Sequence, residues 1–205
     1  MDPSFAITAF ATLFVVIDPV GLTPLFIALT QGVPVEQRRR IGLRACAVAL
    51  AVLAAFAFFG EAALGFIGIS MPAFRIAGGI LLFLTALDML FERRSKRRKG
   101  QSEEEDFPDP SVFPIAIPLI AGPGAIASII LLAGQNPGFT GVLSVLGVAA
   151  AVLLIVLTFF LSAGRIERAL GPTGVTVVTR VLGMLLAALS VQFVLDGVRA
   201  SGLVP

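Results

Sequence analysis

The sequence predicts an all-α membrane protein in which six transmembrane helices form two inverted three-helix repeats, with helices 1 and 4 discontinuous. Composition predicts the membrane class, because 57% of the 205 residues are hydrophobic and only 14% are charged. A soluble domain carries about 25% charged residues. A second observation predicts the repeats: Asp18-Pro19 and Gly122-Pro123 interrupt apolar runs at matching places in the two halves.

Six apolar runs are each long enough to cross the ~30 Å hydrocarbon core of a bilayer as one helix. They lie at 5–30, 45–68, 73–91, 112–134, 141–163 and 177–198. Of the 15 Lys and Arg residues, 13 fall on the connections after runs 1, 3 and 5, at 31–44, 92–110 and 164–180. Because basic loops stay in the cytoplasm, we expect these connections to be cytoplasmic and both termini to lie on the outer, periplasmic side.

The two halves resemble each other on either side of a charged segment. Residues 1–91 form the first predicted repeat, residues 92–111 a charged cytoplasmic linker and residues 112–205 the second repeat. A shared pattern, Leu-Gly-x-x-Gly-(Ile/Val)-(Ser/Thr) followed by Arg-(Ile/Val)-x-Gly, begins at Leu64 and again at Leu170. Because each repeat has an odd number of spans, the second copy must enter the membrane from the opposite side, which predicts inverted topology.

The first break places the carboxylate of Asp18 near the middle of an apolar run. An ionised side chain at that depth is costly unless it is paired or solvated, so Asp18 is a candidate for substrate binding and for ion coupling. Asp followed by Pro19 is also the usual start of a helix, an N-cap followed by the first helical residue. From the sequence alone both roles stay open.

The second break, Gly122-Pro123-Gly124, has no side chain that could cap the helix that follows. We expect the backbone amides of Gly124, Ala125 and Ile126 to be unpaired donors at a half-helix N-terminus, where the helix dipole favours an anion. Irregular backbone at this depth is tolerated where it lines a cavity or is buried in protein. A proline kink relieved by neighbouring helices is the alternative.

Together the two breaks predict a small pocket near the midplane, with an anion on one wall and amide donors on the other. A small zwitterion carrying an ammonium and a carboxylate fits this pair. The predicted substrate-binding residues are Asp18, Pro19, Gly21, Thr23, Gly122, Pro123, Gly124, Ala125, Ile126 and Ser128, with Asp18 also the coupling residue. The candidate gate or lining residues are Arg75, Thr85, Arg180, Ser190 and Gln192. The alternatives are hydrogen bonds within or between helices for the hydroxyls and amide, and interface anchoring for the arginines.

The composition also excludes several kinds of chemistry. The chain has no His, so no histidine can serve as a metal ligand or a proton relay. It contains neither the phosphate-binding Gly-x-x-x-x-Gly-Lys-(Ser/Thr) motif nor a Cys-x-x-Cys pair. We therefore expect no enzymatic activity, no metal or other cofactor and no nucleic-acid partner. The expected partners are the lipid bilayer, a small zwitterionic substrate, and a proton or sodium ion whose gradient drives transport.

Three stretches of the sequence are similar to the MarC family of bacterial six-helix inner-membrane proteins. They read Asp18-Pro19-Val20-Gly21, Phe74-Arg75-Ile76-Ala77-Gly78-Gly79-Ile80 and Ala116-Ile117-Pro118-Leu119-Ile120-Ala121-Gly122-Pro123-Gly124-Ala125. The family is also called the neutral amino acid transporter family and is grouped with lysine-exporter-type proteins. The resemblance implies a secondary transporter in the bacterial inner membrane that carries small neutral amino acids, such as glycine or alanine, with protons. The alternatives are a lysine-exporter-like efflux carrier of another small metabolite or drug, and a membrane protein that does not transport.

Overall fold

The computed structural model describes residues 2–91 and 109–202, apart from the side chain of Glu167. Within these ranges the chain is helical and has no strand. The helices are α1 (Pro3–Ile17), α2 (Pro19–Leu29), α3 (Val35–Ile67), α4 (Met71–Leu90), the π-helical α5 (Ser111–Ile120), α6 (Pro123–Gln135), α7 (Phe139–Leu161) and α8 (Ala163–Ala200). Most of the predicted cytoplasmic linker, residues 92–108, lies outside the described residues.

Five helical segments of the described chain are long and apolar enough to cross a membrane. They are Pro3–Leu29, which combines α1 and α2, then α3, α4, α7 and the part of α8 from Arg168 to Ala200. The pair α5 and α6, bent by 59°, makes a sixth if a bent pair counts as one span. The predicted all-helical membrane fold is therefore confirmed at the level of five or six candidate spans.

The connections at 31–44 and 164–180, which were interpreted as loops, are largely helical, so that interpretation was wrong. α3 begins at Val35 rather than near residue 45, and α8 begins at Ala163 rather than near residue 177. Hydropathy marks the part of a helix that crosses the hydrocarbon, whereas arginine-rich turns beyond it still have good helix propensity. Arg180 therefore lies inside α8, and the backbone of this helix is kinked at Gly171, where φ is 61°.

α4 packs along α8 at close range because glycines remove side chains from the contact. A Cβ atom built on Gly183 would lie 3.2 Å from the carbonyl oxygen of Ala86, and one built on Gly197 would lie 3.0 Å from that of Pro72. The residue numbers rise along α4 as they fall along α8, so the two helices are antiparallel. Small residues at such contacts allow tight packing in a membrane, where lipid supplies no hydrophobic drive between helices.

The span formed by α1 and α2 is more enclosed than the four other continuous spans of the described chain. In its apolar stretch of 18 residues, 56% of the residues are buried, compared with 28–39% in the corresponding stretches of the four other continuous spans. Phe26 of α2 stacks on Phe160 of α7 with ring centroids 4.1 Å apart, and Ile17 and Leu22, on either side of the break, are almost fully buried. The junction between α1 and α2 therefore lies in the protein interior, against α6, α7 and α8.

Candidate functional site

Asp18 forms the junction between α1 and α2. Among the described residues it is the only one other than glycine with a positive φ, at φ 58° and ψ 68°. This left-handed conformation is unfavourable for residues with a Cβ atom, although Asp adopts it more readily than most. The Asp18 N–H donates to the carbonyl of Phe14 at 2.9 Å, and the Asp18 carboxylate accepts from the N–H of Gly21 at 3.0 Å. Asp18 thus ends one helix and caps the next.

The carboxylate of Asp18 is enclosed by protein, since the residue is only 1% exposed. Gly21 makes room for it: a Cβ atom built on Gly21 would lie 2.8 Å from Asp18 Cγ and closer still to Oδ2. Pro19 occupies the first position of α2, where its missing N–H is not needed and its fixed φ suits a helix. The capping interaction expected from the Asp-Pro order is therefore present, in a buried setting that leaves the carboxylate without contact to solvent.

The second break lies between α5 and α6. Gly122 has an extended backbone, Pro123 is the first residue of α6, and no side chain caps this helix. The expectation for Ile126 was wrong: its N–H donates to the carbonyl of Gly122 at 2.9 Å, as the first helical hydrogen bond of α6. Among the described residues, no side chain accepts from the amides of Gly124 and Ala125, so only these two amides remain as candidate donors.

α5 is less regular than the helix that the sequence analysis predicted from residue 112. Its backbone is extended at Phe113 and Ile117, and the peptide bonds from these residues to Pro114 and Pro118 are cis. A residue before proline is disfavoured in the α-helical conformation, so two prolines four residues apart interrupt the helix twice. The backbone then returns so closely that a Cβ atom built on Gly122 would lie 2.5 Å from the Pro118 carbonyl oxygen.

The fold brings the two breaks together. A Cβ atom built on Gly124 would lie 3.2 Å from Cγ1 of Val16, 3.5 Å from Cδ2 of Leu82 and 3.7 Å from Oγ1 of Thr85. Val16 is two residues before Asp18, so the first break, the second break and α4 meet at one place. Thr85 was predicted from the sequence as a lining residue, whereas Val16 and Leu82 were not, because an aliphatic residue within an apolar run carries no distinguishing signal.

The predicted polar residues near the breaks fall into two groups. Thr23, Thr85 and Ser190 each donate to a carbonyl oxygen three or four residues earlier in their own helix, at 2.7–3.0 Å. Ser128 differs, because it is completely buried and its Oγ has no hydrogen-bond partner among the described residues. Ser128 follows Gly124 by one helical turn and therefore lies on the same face of α6. A buried polar group without a partner requires an explanation, and a ligand is one.

The remaining gate or lining candidates lie on α4 and α8 in different settings. Gln192 is exposed and donates to Oδ1 of Asp196 at 2.8 Å. Arg180 is also exposed. Arg75 is half-buried, and its Nε has no hydrogen-bond partner within the described part of the chain. Of these three, only Arg75 combines burial with an unsatisfied donor.

An apolar cavity of about 550 Å³ lies beside the second break, between α3, α4 and α6. Pro123 and Ile126 of the predicted site line it, together with aromatic residues such as Phe56 and Phe59 of α3. Asp18 is not among its lining residues. In this conformation two predicted binding residues therefore face apolar space, while the Asp18 carboxylate is enclosed separately.

Several apolar spans, interrupted at buried positions and packed through glycines, define a multi-pass integral membrane protein. The MarC family, described as "MarC family integral membrane protein", matches residues 3–201, so this chain belongs to the MarC family. The resemblance found in the sequence is confirmed.

Relatives with similar sequences are described as membrane proteins in bacteria and archaea. The UPF0056 inner membrane protein YhgN of Escherichia coli (strain K12) is 35% identical over 195 residues, which cover 94% of this chain and 95% of the relative. The UPF0056 membrane protein YvbG of Bacillus subtilis (strain 168) is 34% identical over 200 residues, with 96% and 95% covered. A UPF0056 membrane protein of Archaeoglobus fulgidus is 39% identical over 196 residues, with 95% and 92% covered. No solved structure gives a significant match to the chain.

Proposed function

We propose that this protein is a proton-coupled secondary transporter of small neutral amino acids, of the size of glycine or alanine, in the bacterial inner membrane. Access to a midplane site would alternate between the two sides. The observation that carries this proposal is the meeting of the two helix breaks, where Val16, next to the Asp18 junction, contacts the buried Gly124. Paired helix breaks in the two halves of a chain are a general indication of a transporter binding site.

The proposal includes two inverted repeats, residues 1–91 and 112–205, with both termini periplasmic. α4 and α8 are the third spans of these repeats, and their antiparallel packing through Gly183 and Gly197 supports the inversion. Inverted copies related by an axis in the membrane plane place corresponding helices in opposite directions. The concentration of basic residues on three connections supports the orientation.

The chemistry of the breaks suits a zwitterion. One oxygen of the Asp18 carboxyl group would accept a hydrogen bond from the substrate ammonium while the other carries the coupled proton, and the amides of Gly124 and Ala125, at the positive end of α6, would bind the substrate carboxylate. The unpartnered hydroxyl of Ser128, one turn further along α6, offers one more hydrogen bond. Val16 and Leu82 crowd Gly124 so closely that only a substrate with a minimal side chain would fit between α1 and α6.

Asp18 is the best candidate for coupling transport to protons. It is the only ionisable residue of the span Pro3–Leu29, and residues 112–134 contain none. A proton bound at the two breaks would therefore have to use this carboxylate. Because the side chain is enclosed in the described conformation, alternating access would require α1 and α6 to separate, first toward one side of the membrane and then toward the other.

The test is uptake of radiolabelled glycine and L-alanine into proteoliposomes with an imposed inward proton gradient. We expect Asp18→Asn to lose gradient-driven uptake by about tenfold or more, because a hydrogen bond or ion pair with a charged group contributes about 1.5–3 kcal/mol. Glu61→Gln is the matched control, since it neutralises an exposed carboxylate of α3. Unlabelled glycine should compete, whereas glycinamide and N-acetylglycine should not.

Normal proton-driven uptake by a folded Asp18→Asn protein would exclude Asp18 as the coupling residue. Absence of uptake and binding for every neutral amino acid, with wild-type protein, would exclude the proposed substrate class. The efflux carrier and the non-transporting membrane protein would then be the functions to examine.

A further inference from the structure

A second, polar cavity of about 590 Å³ lies at the N-terminal end of α3. Its lining includes four charged residues, Glu36, Arg40 and Arg44 from α3 and Asp109 from just before α5. None of its lining residues belongs to α1, α2 or α6, so this α3 cavity is separate from the two helix breaks. Its volume is in the range of small-ligand sites, roughly 300–1,000 Å³.

The α3 cavity lies at the level of the lipid headgroups. α3 has 33 residues, which at 1.5 Å per residue is roughly 50 Å, whereas the hydrocarbon core is ~30 Å thick. The charged residues of α3 are concentrated in its first three turns, and between Ala45 and Ile67 only Glu61 is charged. The apolar part from Ala45 to Ile67 therefore spans the hydrocarbon and places Arg44 at its edge, with Arg40 one turn further out.

Among the described residues, two of these four charged side chains pair with each other and the other two have no partner. Arg44 forms an ion pair with Asp109, whose Oδ1 accepts a hydrogen bond from the N–H of Ser111 at 3.0 Å. Hydrogen bonding to Ser111 and, to a smaller extent, the charge of Arg44 lower the pKa of Asp109, so this carboxylate is ionised at neutral pH. Within residues 2–91 and 109–202, the side chains of Arg40 and Glu36 have no hydrogen-bond or ion-pair partner.

Arg40 and Arg44 are one helical turn apart, so their guanidinium groups project from the same face of α3. A guanidinium offers five N–H donors in a planar fork that matches the oxygens of a phosphate. The pair with Asp109 fixes Arg44 in place and leaves most of its donors available. Glu36 in the same cavity adds an acceptor for a primary ammonium, which a purely anionic ligand would not use.

We infer that the α3 cavity binds a phosphoethanolamine group, with Arg40 and Arg44 on the phosphate and Glu36 on the ammonium. Such a group carries both charges that the cavity complements. In the lipid, where the phosphate is a diester, it has no net charge, which matches a lining with two cations and two anions. Phosphatidylethanolamine in the bilayer and free phosphorylethanolamine are the two possible sources. The position of the cavity at the headgroup level favours the lipid, whose local concentration there is high.

The test is native mass spectrometry of the purified full-length protein in detergent, titrated with phosphatidylethanolamine, phosphatidylglycerol or phosphatidylcholine of identical acyl chains. We expect phosphatidylethanolamine to bind about tenfold more tightly than phosphatidylcholine, whose quaternary ammonium has no N–H to donate to Glu36. Arg40→Gln should weaken binding of both phosphatidylethanolamine and phosphatidylglycerol by about tenfold, through loss of a charge-assisted contact. Glu36→Gln should remove only the preference for phosphatidylethanolamine over phosphatidylglycerol.

Arg39→Gln is the matched control, because it removes the same charge from the same turn of α3 at a residue that does not line the cavity. The side chains of Glu36, Arg39 and Arg40 are all exposed, so the three variants should fold, which circular dichroism checks.

Equal losses of lipid affinity in Arg39→Gln and Arg40→Gln would overturn the site in favour of diffuse electrostatic attraction. Equal affinity for the three lipids would overturn it as well. Displacement of the lipid by free phosphorylethanolamine would confirm the headgroup chemistry and add a soluble source, whereas lipid binding without displacement would assign the site to the bilayer lipid.

Discussion

Replacing Gly21 by alanine tests whether the buried carboxylate of Asp18 organises the first helix break. The Cβ atom would lie 2.8 Å from Asp18 Cγ, where ordinary contacts are 3.4–4 Å. The carboxylate would have to rotate away and would lose the hydrogen bond from the Gly21 N–H. The backbone itself would tolerate the change, because Gly21 lies within the regular helix α2.

The expected loss of stability follows from these contacts. A hydrogen bond to a charged group contributes about 1.5–3 kcal/mol, and the buried amide left without an acceptor costs about 1–3 kcal/mol more. Alanine returns about 1 kcal/mol through its higher helix propensity. We therefore expect Gly21→Ala to destabilise the protein by about 1.5–5 kcal/mol. For a chain of this length, that corresponds to a fall in Tm of roughly 3–20 °C.

Thermal unfolding in detergent, followed by circular dichroism of the helices, measures this effect without the tryptophan and tyrosine that the chain lacks. Gly147→Ala is the matched control, since Gly147 lies inside α7 and a Cβ atom there would meet nothing within 4 Å. We expect Gly147→Ala to leave Tm unchanged or to raise it slightly, because alanine favours the helix and creates no clash.

The same substitution in an Asp18→Gly background completes a double-mutant cycle. Glycine accepts the left-handed conformation of residue 18 and has no carboxylate, so Gly21→Ala should then cost nothing. An equal loss of stability in both backgrounds would refute the reasoning, because the clash with the Asp18 side chain would not be its cause.

Two further predictions concern α4–α8 packing and the hydroxyl at the second break. Gly79→Ala should lower the stability by about 1–3 kcal/mol, because its Cβ atom would lie 2.8 Å from the Ser190 carbonyl oxygen and push α8 away; a Tm equal to that of the wild type would contradict this. Ser128→Ala should leave the unliganded protein as stable as the wild type or more stable by about 1 kcal/mol, because the lost hydroxyl has no partner. In uptake assays the KM of Ser128→Ala for glycine should rise about fivefold, and an unchanged KM would remove Ser128 from the binding site.

Much of the fold could be predicted from the sequence because the free energy of membrane insertion sums over consecutive residues. The apolar runs at 5–30, 73–91 and 141–163 match helical spans of the structure to within a few residues. Pro19 and Pro123 each begin a helix, as the order of cap and proline predicts. Local rules of this kind need no knowledge of distant residues.

The prediction of helix bounds failed where prolines interrupt an apolar run and where charged residues form the first turns of a helix. The prediction of unpaired amides failed at Ile126. α5 is interrupted twice by prolines that the hydropathy pattern treats as ordinary apolar residues. The arginine-rich first turns of α3 and α8 are helical although their polarity indicated a loop. The Ile126 amide is satisfied by Gly122, because a helix N-terminus supplies its own acceptor as soon as a carbonyl lies four residues back.

The sequence by itself determined the membrane class, the approximate spans, the family and the two proline breaks, because composition and local backbone preferences depend on adjacent residues. Only the tertiary structure decided that Val16, Leu82 and Thr85 surround Gly124, and that Asp18 is enclosed. It also decided that Arg44 meets Asp109 at the α3 cavity. These contacts join residues that are distant in the sequence. Which residues meet depends on how glycines and bulky side chains of different segments pack, and no local pattern of the chain encodes that packing.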